Sequence, residues 1–223
     1  MSVRRRTAES YARRGPIREP YDRVLIVCEG EKTEPHYFGG LRKHYRLSSA
    51  NIEITPADGT DPVSIVSFAE ARLGEYDRAF CVFDRDGHQN YTAAVARVAQ
   101  SVEGRAGKLV AITSWPCFEF WLLLHFGYSA APFHRAGNKS SCDRAMSKLA
   151  AHVPGYNKGL KNVYELLAPR TADAIQHARR LHRENRRTDS TNVDGDPNPR
   201  DSGERRGLVT DASSIDLFPS WVF

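Results

Sequence analysis

Val24-Leu25-Ile26-Val27-Cys28-Glu29-Gly30-Glu31-Lys32-Thr33-Glu34 is an apolar run that ends in a cluster of carboxylates. Its aliphatic and β-branched residues follow one another without a polar break, the pattern of a strand covered by helices on both faces. Phe80-Cys81-Val82-Phe83-Asp84-Arg85-Asp86-Gly87 repeats the arrangement. Each stretch reads as a buried strand with acids at its carboxyl end. Around them, helix and strand signals alternate. Thr33 to Tyr45 predicts a helix, with Thr33 as N-cap, Glu34 and Pro35 in its first turn, and Tyr37, Phe38, Leu41 and Tyr45 on one face. Asn51 to Thr55 predicts a short strand. Asp61-Pro62 caps a second helix whose apolar positions are Ile65, Val66, Phe68, Ala69 and Leu73. Arg78 to Phe83 is a third strand, Asn90 to Val102 a helix striped by Ala94, Val95, Val98 and Val102, and Lys108 to Thr113 a fourth strand. The order β-α-β-α-β-α-β predicts a doubly wound α/β fold: a mostly parallel, four-stranded, Rossmann-like sheet flanked by helices, with right-handed crossovers.

Trp115 to Gly127 follows, with Pro116 placed to open a helix and Gly127 to close it. It is apolar all round, so it is expected to be buried, its aromatic residues serving as core rather than as a platform for stacked bases. Ser141 to Ala151 predicts a helix with Ala145, Met146, Leu149 and Ala150 inward, and Leu160 to Leu167 is helical or turn-like. Thr171 to Arg187 carries a narrow apolar stripe of Ala174, Ala178 and Leu181, and a basic face of Arg179, Arg180, Arg183, Arg186 and Arg187. The resulting organisation is a basic flexible arm at 1–20, an α/β core at 21–128, a helical appendage packed on the core at 129–187, and a linker with an apolar C-terminal segment at 188–223. The last part is disordered in composition. Its Asp194-Gly195-Asp196 resembles a calcium-loop fragment but lacks the later ligands.

The 223 residues are 40% hydrophobic and 26% charged, as in ordinary globular proteins. No apolar run approaches the ~20 residues that cross a bilayer, and the basic start has no apolar stretch behind it, so a cytoplasmic protein with no membrane partner is expected. The net charge of +5 sits near the two ends of the chain and suits a nucleic-acid backbone. Cys28, Cys81, Cys117 and Cys142 form no C-x-x-C pair, and are expected to be reduced core residues rather than a disulfide or a zinc site.

In open α/β sheets, sites form beyond the carboxyl ends of strands, where successive crossovers diverge to opposite faces. If the strands ending at Cys28 and Phe83 are neighbours, they lie ~4.8 Å apart. Glu29 then faces Asp84 and Asp86 across a narrow crevice. Carboxylates that close raise each other's pKa unless a counter-ion is present, and their hard oxygens suit Mg2+ or Mn2+. Period two puts Asp84 and Asp86 on the same side. Gly30 and Gly87 let the backbone turn, and Gly30 leaves room for a phosphate that Lys32 would contact. His88 is placed to touch substrate. Glu119 is the one acid in its apolar helix, and a buried carboxylate must be paired or must ligate something. Plain alternatives stand beside these readings. The two acidic turns can be solvated turns, Glu31 can be simply solvated, Glu34 can serve only the dipole of its helix, and Glu119 can form a structural ion pair or serve the dipole of its helix's first turn.

The stretch Val27-Cys28-Glu29-Gly30-Glu31-Lys32-Thr33-Glu34-Pro35 with Tyr37-Phe38, then Phe83-Asp84-Arg85-Asp86, then Pro116-Cys117-Phe118-Glu119-Phe120-Trp121 through Phe126, resembles the RloB family of bacterial proteins. These are Toprim-like, and similar in site pattern to the nuclease domains of the OLD family. The resemblance runs from Arg23 to Phe126, loosens to Arg187, and stops at Thr188. It implies a Toprim fold in which Glu29, Asp84 and Asp86 bind Mg2+ or Mn2+, with Glu34 as a further ligand and Glu31 as its rival. It also implies a place in antiphage defence beside an ATPase of the AAA or ABC type encoded nearby. With the residue reading it predicts a metal-dependent endonuclease for RNA or DNA. The metal set is Glu29, Glu34, Asp84, Asp86 and Glu119. Lys32, His88, Arg179, Arg183 and Arg186 contact phosphates. The rival expectation is a non-catalytic module that binds nucleic acid or the ATPase.

Overall fold

In the computed structural model, which describes residues 22–59, 61–85 and 88–191, the apolar runs become four strands. They are β1 (Val24–Cys28), β2 (Ile52–Pro56), β3 (Arg78–Asp84) and β4 (Leu109–Ser114). All pair in parallel, in the order β2-β1-β3-β4. The helices are α1 (Thr33–His44), α2 (Pro62–Arg72), α3 (Tyr91–Gln100), α4 (Val102–Arg105), α5 (Glu119–Leu123), α6 (Ser141–His152), α7 (Val163–Leu167) and α8 (Thr171–Thr191).

The alternation of strand side chains divides the core in two. Leu25, Val27, Cys81 and Phe83 pack with Ile65, Val66 and Ala69 of α2 and Ala94 and Val98 of α3. Ile26, Cys28, Phe80 and Val82 pack on the other face with Tyr37, Phe38 and Leu41 of α1. The same cluster takes in Leu122 and Leu123 of α5, Leu149 of α6, Leu167 of α7 and Ala178 of α8, so the C-terminal helices share the sheet's core. Their seam with α1 is tight: a Cβ on Gly40 would lie 2.6 Å from Cβ of Tyr164.

The chain leaves β1 through α1 to β2, then crosses the opposite face through α2 to β3, which lies beside β1. The two crossovers part at the carboxyl ends of β1 and β3. Glu29 N donates to Val82 O at 2.9 Å, continuing the ladder one residue past β1.

Several expectations are corrected. Thr33 is the first residue of α1 and not its cap; Lys32 precedes it without a side-chain cap. The helix expected from Pro116 to Gly127 is five residues long. The Trp115–Pro116 peptide is cis, and α5 begins at Glu119. Val102 is 67% exposed, because Ser101 caps a new short helix by accepting from Gly104 N and breaks the apolar phase of α3. Ala150 is exposed, and Ala145 and Leu149 carry the apolar face of α6. Cys117 and Cys142 form a disulfide, because α6 packs against the segment before α5; Cys28 and Cys81 are free and buried as expected. Helix α8 continues to Thr191, past the expected start of the linker. The basic arm and the C-terminal segment lie outside the described residues. Among the described residues, no helix is long and apolar enough to cross a membrane.

Candidate carboxylate site at the sheet switch point

Glu29 ties the ends of β1 and β3 together. Its Oε2 accepts from the backbone N of Asp84 at 2.7 Å, and its Oε1 lies 3.0 Å from Nε2 of His88. These contacts of the Glu29 carboxylate span 55 and 59 residues of chain and are brought together by the β1–β3 pairing.

Three more carboxylates turn towards this point. Glu34, in the first turn of α1, is buried. Loss of solvation is the main force lifting its pKa from 4.5 to about 7, and the charges of Glu119 and Glu29 add to the lift. Asp84, at the end of β3, is held well above the usual carboxylate range by burial first, then by Glu34, Glu29 and Glu119. Lys158 opposes both shifts. Glu119, at the start of α5, is 1% exposed. Its Oε1 accepts from Tyr156 Oη at 3.0 Å and from Thr33 Oγ1 at 3.3 Å, and Cys142 Sγ lies 3.8 Å from its Oε2. A disulfide sulfur has no proton to donate, so that last contact is not a hydrogen bond. Among the described residues, Glu119 is thus held by hydroxyls on Oε1 and not by an ion pair, and its Oε2 meets only the disulfide sulfur.

Local backbone explains part of the convergence. A Cβ on Gly30 would lie 2.7 Å from Oε2 of Glu34, so the carboxylate occupies the space that any side chain there would fill. The phosphate expected over Gly30 therefore finds a carboxylate in its place. Glu31, the rival of Glu34, is exposed.

Glu29, Glu34, Asp84 and Glu119 are therefore brought together, with His88 on the rim. Lys32 stands exposed just before α1. Arg179 and Arg183 are exposed on α8. Asp86 and the side chain of Arg186 lie outside the described residues. Sequence reading missed Thr33 as a site hydroxyl, and missed Tyr156 and Lys158 altogether. The backbone O of Lys158 accepts from Thr33 Oγ1 at 3.4 Å across 125 residues, and nothing in Tyr156-Asn157-Lys158-Gly159 marks it as more than a polar loop.

Hard oxygens facing one another, their repulsion only partly opposed by Lys158, fit a hard divalent cation such as Mg2+ or Mn2+. Among the described residues, Cys117, Glu119 and Cys142 have ligand atoms within 4.8 Å of one another, whereas Glu29, Glu34 and Asp84 are not drawn that close. The cysteine group is a poor metal site as it stands, because bonded sulfurs offer no thiolate.

A family model described as RloB-like protein matches residues 24–199 of the chain. No curated protein matches it, and no solved structure does.

Proposed function

The chain belongs to the RloB-like family, and from that premise we propose that it is a metal-dependent nuclease hydrolysing phosphodiesters of RNA or DNA. The reading extends to antiphage defence and to an ATPase partner of the AAA or ABC type, which rest on the resemblance alone. One observation carries the nuclease itself: buried and half-buried, mutually repelling carboxylates from the end of β1, α1, β3 and α5 converge where the crossovers of a parallel sheet part. Among the described residues, Lys158 opposes the repulsion at Glu34 and Asp84 without cancelling it, and both carboxyls stay raised.

Glu29, Glu34 and Asp84 would hold Mg2+ or Mn2+, with Glu119 behind them. Such an ion would supply Lewis acidity to activate water and steady the leaving oxygen. The other tasks fall to the chain. The Asp84 amide and His88 fix the orientation of Glu29. Tyr156 and Thr33 hold Glu119 in place. His88, partly exposed on the rim, can exchange a proton between Glu29 and substrate. Lys32 and the exposed arginines of α8 would hold the nucleic-acid backbone without reading its sequence.

The test is incubation of purified protein with Mg2+ or Mn2+ and labelled tRNA, single-stranded DNA and duplex DNA. Cleavage should disappear in Asp84→Asn and Glu29→Gln variants that keep their fold. Cleavage that survives both substitutions rules out the site. Absence of cleavage in every arm, even with the ATPase added, favours the non-catalytic module.

A further inference from the structure

At the far end of α5 from Glu119 lies a cavity of about 220 Å³. Its walls mix polar and apolar surface and are rich in rings: Phe120 from α5, Phe126 and Tyr128 just after it, and Phe133 beyond. Phe120 is buried, but Phe126 and Tyr128 are only half-buried, so the aromatic run is core at its start and open at its end. Lys148 and His152, both exposed on α6, also line the cavity.

Cations gather on these rings. The Lys148 ammonium lies 5.7 Å from the centroid of Phe133, the Arg170 guanidinium 5.3 Å from Phe126, and the Arg180 guanidinium 3.9 Å from Tyr128. His152 lies flat on Phe126, with centroids 4.7 Å apart and planes 9° from parallel. Glu184 is the acid beside them, paired to Arg180 and accepting from the Tyr128 hydroxyl.

We propose that this cavity receives one unpaired nucleobase of a single-stranded nucleic acid, whose phosphate meets Lys148 and His152 at the mouth. The proposal rests on the nuclease reading of the carboxylate site and names its substrate as single-stranded. Pockets for drug-sized ligands span roughly 300–1,000 Å³, so this smaller one suits a single ring system and not a stacked base pair. Every base has a π face, and aromatic rings set among cations are what sequence-tolerant single-strand binding uses. His152 covers one face of Phe126 in the parallel geometry a base would adopt there, so a base that stacks on this ring displaces the imidazole towards the mouth. An apolar side chain from a protein partner would fill the cavity but bring no anion to its mouth, which favours the nucleotide.

The position agrees with the carboxylate site. Glu119 opens α5 and Leu123, which lines the cavity, closes it, a rise of ~6 Å. Cys142 of α6 lies against Glu119, and His152 ends the same helix ~15 Å further on. A single strand held at the carboxylates can therefore reach the cavity within a few nucleotides.

The experiment measures binding by the full chain in EDTA, so that cleavage plays no part. The probes are single-stranded DNA and RNA oligonucleotides carrying 2-aminopurine, whose emission is quenched when it stacks. Quenching should accompany binding, and the duplex of the same sequence should bind more weakly. A double variant, Lys148→Glu with His152→Glu, changes two exposed side chains and should lose about tenfold or more in affinity together with the quenching. Its melting temperature serves as the check on folding. Equal affinity for duplex and single strand, or unchanged quenching in a folded double variant, overturns the proposal. So does a bound apolar peptide that oligonucleotides cannot displace. Quenching by a protein that cleaves nothing with Mg2+ would support the cavity and remove the nuclease reading; cleavage without quenching would do the reverse.

Discussion

Replacing Glu34 with Gln should stabilise the protein at neutral and alkaline pH and change how its stability depends on pH. The Glu34 carboxyl is raised from 4.5 to about 7, by burial first and then by Glu119 and Glu29. Within that window the folded state keeps a proton that the unfolded chain has released. Stability contributed by this group is therefore complete below the lower value, falls as pH rises, and stays lost above the upper one. At ~1.4 kcal/mol per pH unit, the whole window is worth roughly 3 kcal/mol, most of it lost between pH 5 and pH 8. Asp84 shifts in the same direction and acts in the same sense. His125 acts oppositely: burial depresses it to about 4, so its contribution is gained as pH rises towards its unfolded value. The informative quantity is therefore the difference between variant and wild type. Urea unfolding in EDTA at pH 5 and pH 8 measures it. Gln keeps the shape of Glu and cannot ionise, so the variant should gain roughly 2–3 kcal/mol on wild type in going from pH 5 to pH 8. Millimolar Mg2+ should then stabilise wild type at pH 8 more than the variant, since a ligand of the folded state stabilises by mass action. Parallel pH profiles for the two proteins would refute the picture of Glu34 as a buried, repelled carboxyl.

Other substitutions probe the supports of the site. Tyr156→Phe removes the hydroxyl 3.0 Å from Glu119, leaves a buried carboxylate short of a donor, and should cost about 1–3 kcal/mol in urea unfolding. Gly40→Ala puts a methyl 2.6 Å from Cβ of Tyr164, and should cost about 1–3 kcal/mol by forcing α1 and α7 apart, read as a lower melting temperature. Cys142→Ser opens a loop closed across 25 residues, and in oxidising buffer should cost about 3 kcal/mol; the gap between variant and wild type should vanish in excess dithiol.

Most of the α/β core was legible because strands buried on both faces admit few polar residues. Val24–Cys28 and Arg78–Phe83 declare themselves by composition, and Asp61-Pro62 declares the start of α2. The phase of α3 was misjudged at Val102, because a side-chain cap at Ser101 restarts the helix and periodicity alone does not register it. Pro116 misled for a similar reason. Proline marks a helix start only when its own backbone continues into the helix, and here it belongs to a turn three residues before α5. The disulfide was hidden because Cys117 and Cys142 stand on separate elements, and their meeting depends on how α6 docks.

The sequence by itself determined that acids follow two buried strands, since that is a local pattern of residue types. Glu29 and Asp84 could be paired from it through the rule that doubly wound sheets open at a switch point. Tertiary structure decided the rest. Glu31 stays in the exposed turn before α1, and Glu34, in the first turn of the helix, takes the space over Gly30. Whether Glu119 finds an ion pair or hydroxyls depends on a loop that follows α6. A carboxylate's partners are set by distance in space, and Thr33, Tyr156 and Lys158 reach the site from up to 125 residues apart, a separation over which local sequence carries no signal.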